Sequence, residues 1–98
     1  MAYNIEFLPG AETDLDEIVD WYKQLNSKLA DDFLLKLDEA LFTLQANPKH
    51  FQKIFKTYRK LNLRRFPFKV IYRIEKQDII VVAIAHHKRR VRYWRGRE

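Results

Sequence analysis

Residues 79–85, Ile-Ile-Val-Val-Ala-Ile-Ala, are apolar at seven successive positions. A strand with one wet face alternates, and this one does not. It predicts a central strand covered on both faces. With 98 residues there is room for one domain, 1–98, and one modest core. The rest of the chain must therefore be arranged around that strand.

Its neighbours in sequence read as strands too. Phe68, Val70, Tyr72 and Ile74 alternate against Lys69, Ile71, Arg73 and Glu75, and Leu61 and Leu63 alternate against Asn62 and Arg64. Lys76-Gln77 is short enough for a hairpin turn, although it lacks the favoured Asn-Gly chemistry. Near the N-terminus, Tyr3, Ile5 and Phe7 alternate with Asn4 and Glu6, and Pro9-Gly10 ends that strand.

Between the first strand and the others lie two helical stripes. Ala11, Leu15, Ile18, Tyr22 and Leu25 recur at intervals of four and three. Glu12, Asp14, Asp16 and Glu17 crowd the start of that helix, where its dipole favours acids, and they read as its solvated face. Asn26-Ser27 is a short break with Ser27 as the expected N-cap. Ala30, Phe33, Leu34, Leu37, Leu41 and Leu44 mark the buried face of a second helix, which Asn47-Pro48 stops. So short a break makes the pair an antiparallel hairpin. The expected fold is α+β: an N-terminal strand, a helical hairpin, a three-stranded antiparallel meander, and a short C-terminal extension docked on the sheet. The helices cover one sheet face, and the other displays Lys69, Arg73 and their neighbours.

Charge is divided unevenly. Residues 1–48 carry ten acids and three bases, net −7, whereas residues 49–98 carry three acids and sixteen bases, net +13. Pairing between the halves absorbs only about half of that excess, which points to a polyanionic partner, nucleic acid or an acidic protein. No apolar run reaches the ~20 residues of a membrane helix, and no export signal is read at the N-terminus. The absence of cysteine excludes disulfides and thiolate metal sites and fits a cytoplasmic protein. His86 and His87 are strand neighbours that point to opposite faces, with no third ligand in view, so no metal or other cofactor is expected.

Four segments, "AETDLDEIVDWY", "LADDFLLKLDEALFTLQANPKHF", "YRKLNLRRFPFKVIYRIE" and "VVAIAHHKRRVRYWRGR", together resemble the RelE/ParE superfamily of bacterial toxins from toxin–antitoxin, or plasmid stabilisation, modules. The resemblance covers nearly the whole chain, with Val91-Arg92 standing where related tails often carry Pro-Gly. It implies a growth-arresting toxin held silent by a cognate antitoxin, expected here to be acidic. One branch cleaves ribosome-bound mRNA; the other poisons DNA gyrase and is not a nuclease.

Metal-free RNA cleavage needs a base for the 2′-hydroxyl, cations for the phosphorane and an acid for the leaving oxygen. The residues matching that need are Lys69, His86, Arg89 and Tyr93 as candidate catalytic groups. Arg59, Arg64, Arg65, Arg73, Lys88 and Arg90 are candidate nucleic-acid contacts. The ribonuclease branch of the resemblance implies a cation at the position of Lys69, a basic residue near His86, an arginine shortly after it and a tyrosine near Tyr93, with Arg89 standing one or two residues further on than that branch's arginine. Plainer roles stand beside these. His86 can simply end a strand, Tyr93 and Trp94 can pack the tail onto the sheet, and Arg64 and Arg65 can guard a sheet edge. The candidate catalytic groups are expected to share one surface with Arg73, which favours a ribosome-dependent mRNA endoribonuclease. The alternatives are gyrase inhibition and a non-toxic nucleic-acid-binding module.

Overall fold

The computed structural model describes residues 3–97. Strand β1 (Asn4–Phe7) leads into helix α1 (Pro9–Leu25) and helix α2 (Ser27–Ala46). Then come β2 (Lys53–Phe55), β3 (Tyr58–Asn62), β4 (Phe68–Glu75), β5 (Asp78–His86) and a 3-10 turn at Val91–Tyr93. The sheet order is β1-β5-β4-β3-β2, with β1 parallel to β5 and the other pairs antiparallel. The α+β reading and the helical hairpin hold. The meander has one more strand than expected: three-residue β2 folds back on β3 through Lys56, whose φ is +52°. It is too short to show a period.

Pro9 opens α1, where its missing N–H costs nothing. The break between the helices is one residue, not two. Extended Asn26 ends α1, and its side-chain oxygen accepts the Lys28 N–H at 2.8 Å, so Asn26 rather than Ser27 caps α2. The buried face of α2 is Ala30, Phe33, Leu37, Ala40 and Leu44; Leu34 lies outside it, and Leu25 of α1 is exposed.

The sheet has a core on each side. Facing the helices, Val70, Tyr72, Ile79, Val81 and Ile84 pack with Ile18, Phe33 and Leu37. On the second face, Ile71, Val82 and Ala83 pack with Tyr58 and with Trp94 from the tail. The fully apolar strand is thus covered by helices on one side and largely by the returning tail on the other. A bulge makes this possible. Glu75 faces Asp78 and Arg73 faces Ile80, but Ile71 faces Ala83 and Phe68 faces His86, so β5 has gained one residue near Val82.

Tyr72 donates its hydroxyl hydrogen bond to the Pro48 carbonyl at 2.6 Å, tying the end of α2 to the sheet. Burial pushes its pKa up to about 12, against the opposing charge of Arg59. Burial also raises that of Tyr22. Both favour the neutral phenol in the folded state; the contribution of Tyr72 is complete below pH 10, the unfolded value, and is lost between there and about 12. The urea midpoint is expected to fall with pH across that window, and less steeply in Tyr72→Phe. A variant that falls as steeply as the parent would show that Tyr72 is not responsible.

Candidate functional site

β1 covers β5 only as far as Val81. Beyond it, the open edge is closed by side chains instead of a strand. The Asp14 carboxylate accepts the Ile84 N–H at 3.1 Å, and Arg97 donates to the Val82 carbonyl at 3.1 Å. Arg97 also donates to Asp14 at 2.8 Å, and the Tyr93 hydroxyl donates to the other Asp14 oxygen at 2.9 Å. Asp14 is only 4% exposed. The expectation that the acids of α1 form its solvated face is therefore corrected at Asp14, though Glu12, Asp16, Glu17 and Asp20 do face solvent. A signal was present: Asp14 lies three residues after Ala11 and four before Ile18, on the buried stripe. Arg97 carried none.

The tail is thus fixed rather than loose. Trp94 is buried against Tyr58 and Phe55, with ring centroids 5.0 and 6.4 Å apart. Arg97 passes close over Gly10, where a Cβ would lie 2.9 Å from its Nε. Gly10→Ala is expected to displace the guanidinium from Asp14 and cost about 1 kcal/mol. Chemical denaturation would check this, and a midpoint equal to the parent's would refute it.

Two clefts flank the segment between His86 and Trp94. The one on the helix side, about 620 Å³, is lined by Glu17, Trp21, Phe68, His86, Lys88 and Arg89 among others. The one on the second sheet face, about 590 Å³, gathers Lys60, Lys69, Arg89, Arg90, Arg92 and Arg95 over Ile54, Val91 and Trp94, with no acid among its described lining residues. Arg89 lines both, its guanidinium 4.4 Å from the Tyr93 ring centroid.

Of the candidate catalytic groups, His86, Arg89 and Tyr93 line the helix-side cleft, and Lys69 lies across the sheet in the other. An unbroken register from Glu75–Asp78 onward would put His86 on the face of Lys69. The bulge shifts it by one residue, which sets His86 beside Phe68 on the helix side, ring centroids 5.4 Å apart, and brings Lys69 opposite Ala85. His86 Nδ1 accepts the Lys88 N–H at 3.1 Å. His87, passed over as a candidate, has its pKa lowered by partial desolvation at the strand end, then by Lys69, His86 and Lys60. Lys69 is itself lowered by burial and then by Lys60. Burial raises the Tyr93 pKa, as do its hydrogen bond to Asp14 and the charge of Asp14, against an opposing effect of Arg97.

The remaining cations are dispersed. Lys88 and Arg90 belong to the tail segment. Arg59 donates to the carbonyls of Lys49 and Phe51, at 3.0 and 2.7 Å, and so holds the loop between α2 and β2. Arg64 and Arg65 are exposed between β3 and β4. Arg73 pairs with Glu75 and lines a separate hollow with Tyr58 and Gly96. Among the described residues no three His, Asp or Glu side chains converge as a metal site, and no helix is long and apolar enough to cross a membrane.

Residues 5–91 match the family model described as ParE toxin of type II toxin–antitoxin system, parDE. Among solved structures, the chromosomal ParDE toxin–antitoxin system of P. aeruginosa is 26% identical with a TM-score of 0.75, over 87% of this chain and 96% of that one. The E. coli RelE toxin is 18% identical with a TM-score of 0.61, over 94% and 92%. The RelBE2 toxin–antitoxin complex of Mycobacterium tuberculosis is 17% identical with a TM-score of 0.58, over 88% and 99%. These last two likenesses are of fold. No protein of curated function matches the chain.

Proposed function

The chain belongs to the ParE toxin family of type II toxin–antitoxin systems, and we propose that it arrests growth by binding and inhibiting DNA gyrase rather than by cutting mRNA. The observation that carries this reading is that Lys69 is separated by the sheet from His86, while Tyr93, which shares a cleft with His86 and Arg89, has its hydroxyl already engaged by a buried carboxylate. An inhibitor that acts by binding needs a fixed, charged surface, and the cleft of Lys60, Lys69, Arg89, Arg90, Arg92 and Arg95 supplies one. Its targets by charge are DNA or an acidic protein face, both of which meet in a gyrase–DNA complex.

The test is paired. Purified protein should inhibit gyrase supercoiling and leave mRNA intact on translating ribosomes. Lys69→Glu together with Arg92→Glu should weaken inhibition about tenfold or more. Cleaved mRNA with unimpaired supercoiling would overturn the reading.

One observation favours the second reading, ribosome-dependent mRNA cleavage. His87, beside Lys69, has a pKa below the ordinary histidine value, which keeps its imidazole neutral and able to accept a proton at neutral pH. On that reading cleavage rises with pH to a plateau above the His87 pKa. His87→Ala then costs about 10²-fold, and His86→Ala costs little.

The partner is a cognate antitoxin, as in the ParDE and RelBE2 systems that the chain resembles. A segment both acidic and amphipathic would suit the cationic cleft and its apolar floor. Its association rate is expected to fall about tenfold or more between low and high salt. A rate indifferent to ionic strength in stopped-flow mixing would remove charge from the account.

A further inference from the structure

The geometry points to Tyr93 as a positioning residue for Arg89, anchored in turn by Asp14, and not as a group that touches the target. Resting on the reading that the cationic segment meets the toxin's target, this assigns the segment's only described aromatic hydroxyl a different task from base stacking or proton transfer.

Three observations meet here. First, the Tyr93 hydroxyl is committed, donating at 2.9 Å to a carboxylate that also holds the Ile84 N–H and Arg97. Second, its ring is occupied by guanidinium groups, with Arg89 4.4 Å and Arg97 4.9 Å from the centroid. A ring already carrying two cations, in place of a base, acts as a platform. Third, Arg89 is the side chain that lines both clefts, so its direction decides how much positive charge each presents. Held by β5 through Ile84, Asp14 fixes the hydroxyl, the hydroxyl fixes the ring, and the ring fixes the guanidinium. A free arginine in an exposed loop would spend its rotamer entropy at the moment of binding; this one has spent it in folding. Burial and the Asp14 hydrogen bond raise the Tyr93 pKa further above its ordinary value, which favours the neutral donor.

The experiment is a double-mutant cycle in the full chain, with growth arrest as the functional readout because it does not depend on which target is correct. Nitrogen-15 NMR of the Arg89 side chain in purified protein provides an independent readout of position. Arg89→Gln, Tyr93→Leu and the double variant are compared. Tyr93→Leu should weaken arrest about tenfold and move the Arg89 Nε–H resonance out of its ring-current shift. The double variant should be no weaker than Arg89→Gln alone. Tyr93→Phe keeps the ring and drops the hydroxyl bond, so it should fall between parent and Tyr93→Leu in both readouts; it also serves if the leucine variant does not fold. Losses that add in the double variant would mean that Tyr93 contacts the target itself, and the assignment falls. It falls equally if Arg89→Gln arrests growth like the parent, or if the Arg89 resonance stays in place without the ring. An Arg89 resonance that moves as described while supercoiling is untouched would overturn the gyrase reading and leave the positioning role standing.

Discussion

Trp94→Ala is expected to lower the melting temperature by roughly 12–40 °C. Trp94 is 1% exposed and is the largest side chain of the core on the second sheet face, set edge-on to Tyr58 and near Phe55. Removing a buried tryptophan leaves a cavity and costs about 3–5 kcal/mol. In a domain of this size each kcal/mol moves the midpoint by about 4–8 °C. Total stability for such a chain is only about 5–15 kcal/mol, so the variant sits near the edge of folding. The loss should not be confined to packing, because the residue pins the segment that bears Arg89, Arg90 and Arg92. Phe42→Ala is the control: that ring is 76% exposed, and its removal should change stability by less than about 0.5 kcal/mol. Thermal melts followed by circular dichroism decide the matter. A shift of only a few degrees for Trp94→Ala would mean that the tail adds little to the fold.

Asp14→Ala should be of similar severity, for an electrostatic reason. It leaves the Ile84 N–H, the Tyr93 hydroxyl and the Arg97 guanidinium without their shared acceptor. Breaking a buried pair from one side costs about 3–5 kcal/mol, because the surviving charge is stranded. Two companions test that cause. Asp14→Asn keeps an oxygen for the Ile84 N–H and loses only the charge, so it should cost less. Asp14→Ala combined with Arg97→Ala should recover part of the loss, since the stranded charge is gone. Equilibrium urea unfolding gives all four values. If the double variant is less stable than Asp14→Ala by the full cost of a separate lesion, charge stranding is not the mechanism.

The elements that could be read from the chain are those whose pattern is local. The stripe from Ala11 to Ile18, the stop at Asn47-Pro48 and the uninterrupted apolar run of β5 each follow from spacing or backbone sterics, and each is where it was expected. Leu34 and Leu25 were misplaced because an apolar residue at a helical interval need not be buried at the margin of a stripe. The placing of His86 and Lys69 on opposite sides of the sheet was illegible for a subtler reason. Alternation predicts which residues share a face only while the register is unbroken. One extra residue near Val82 exchanges His86 for His87 at the end of β5, and nothing in Val-Val-Ala announces a bulge. Asp14 was legible by position and was misread by type, because an acid in the first turns of a helix has an ordinary reason to be there. The role of Arg97 depends on where the chain returns, which no local pattern encodes.

The parallel pairing of β1 with β5 also has a bearing on time. Asn4 faces Asp78, and Asp14 meets Arg97, so both closures join positions more than seventy residues apart. The hairpins β4–β5 and β3–β4 and the pair α1–α2 can form from near neighbours. The first strand has no partner until the fifth exists, and the edge beyond it stays open until Arg97 arrives. Loop-closure entropy of this kind must be met before any contact repays it, which places the final step late and makes it the slow one. A refolding chain should therefore show its helices and central hairpin protected from hydrogen exchange before β1 and the Ile84 amide. The cationic surface would be the last part of the molecule to acquire its working shape.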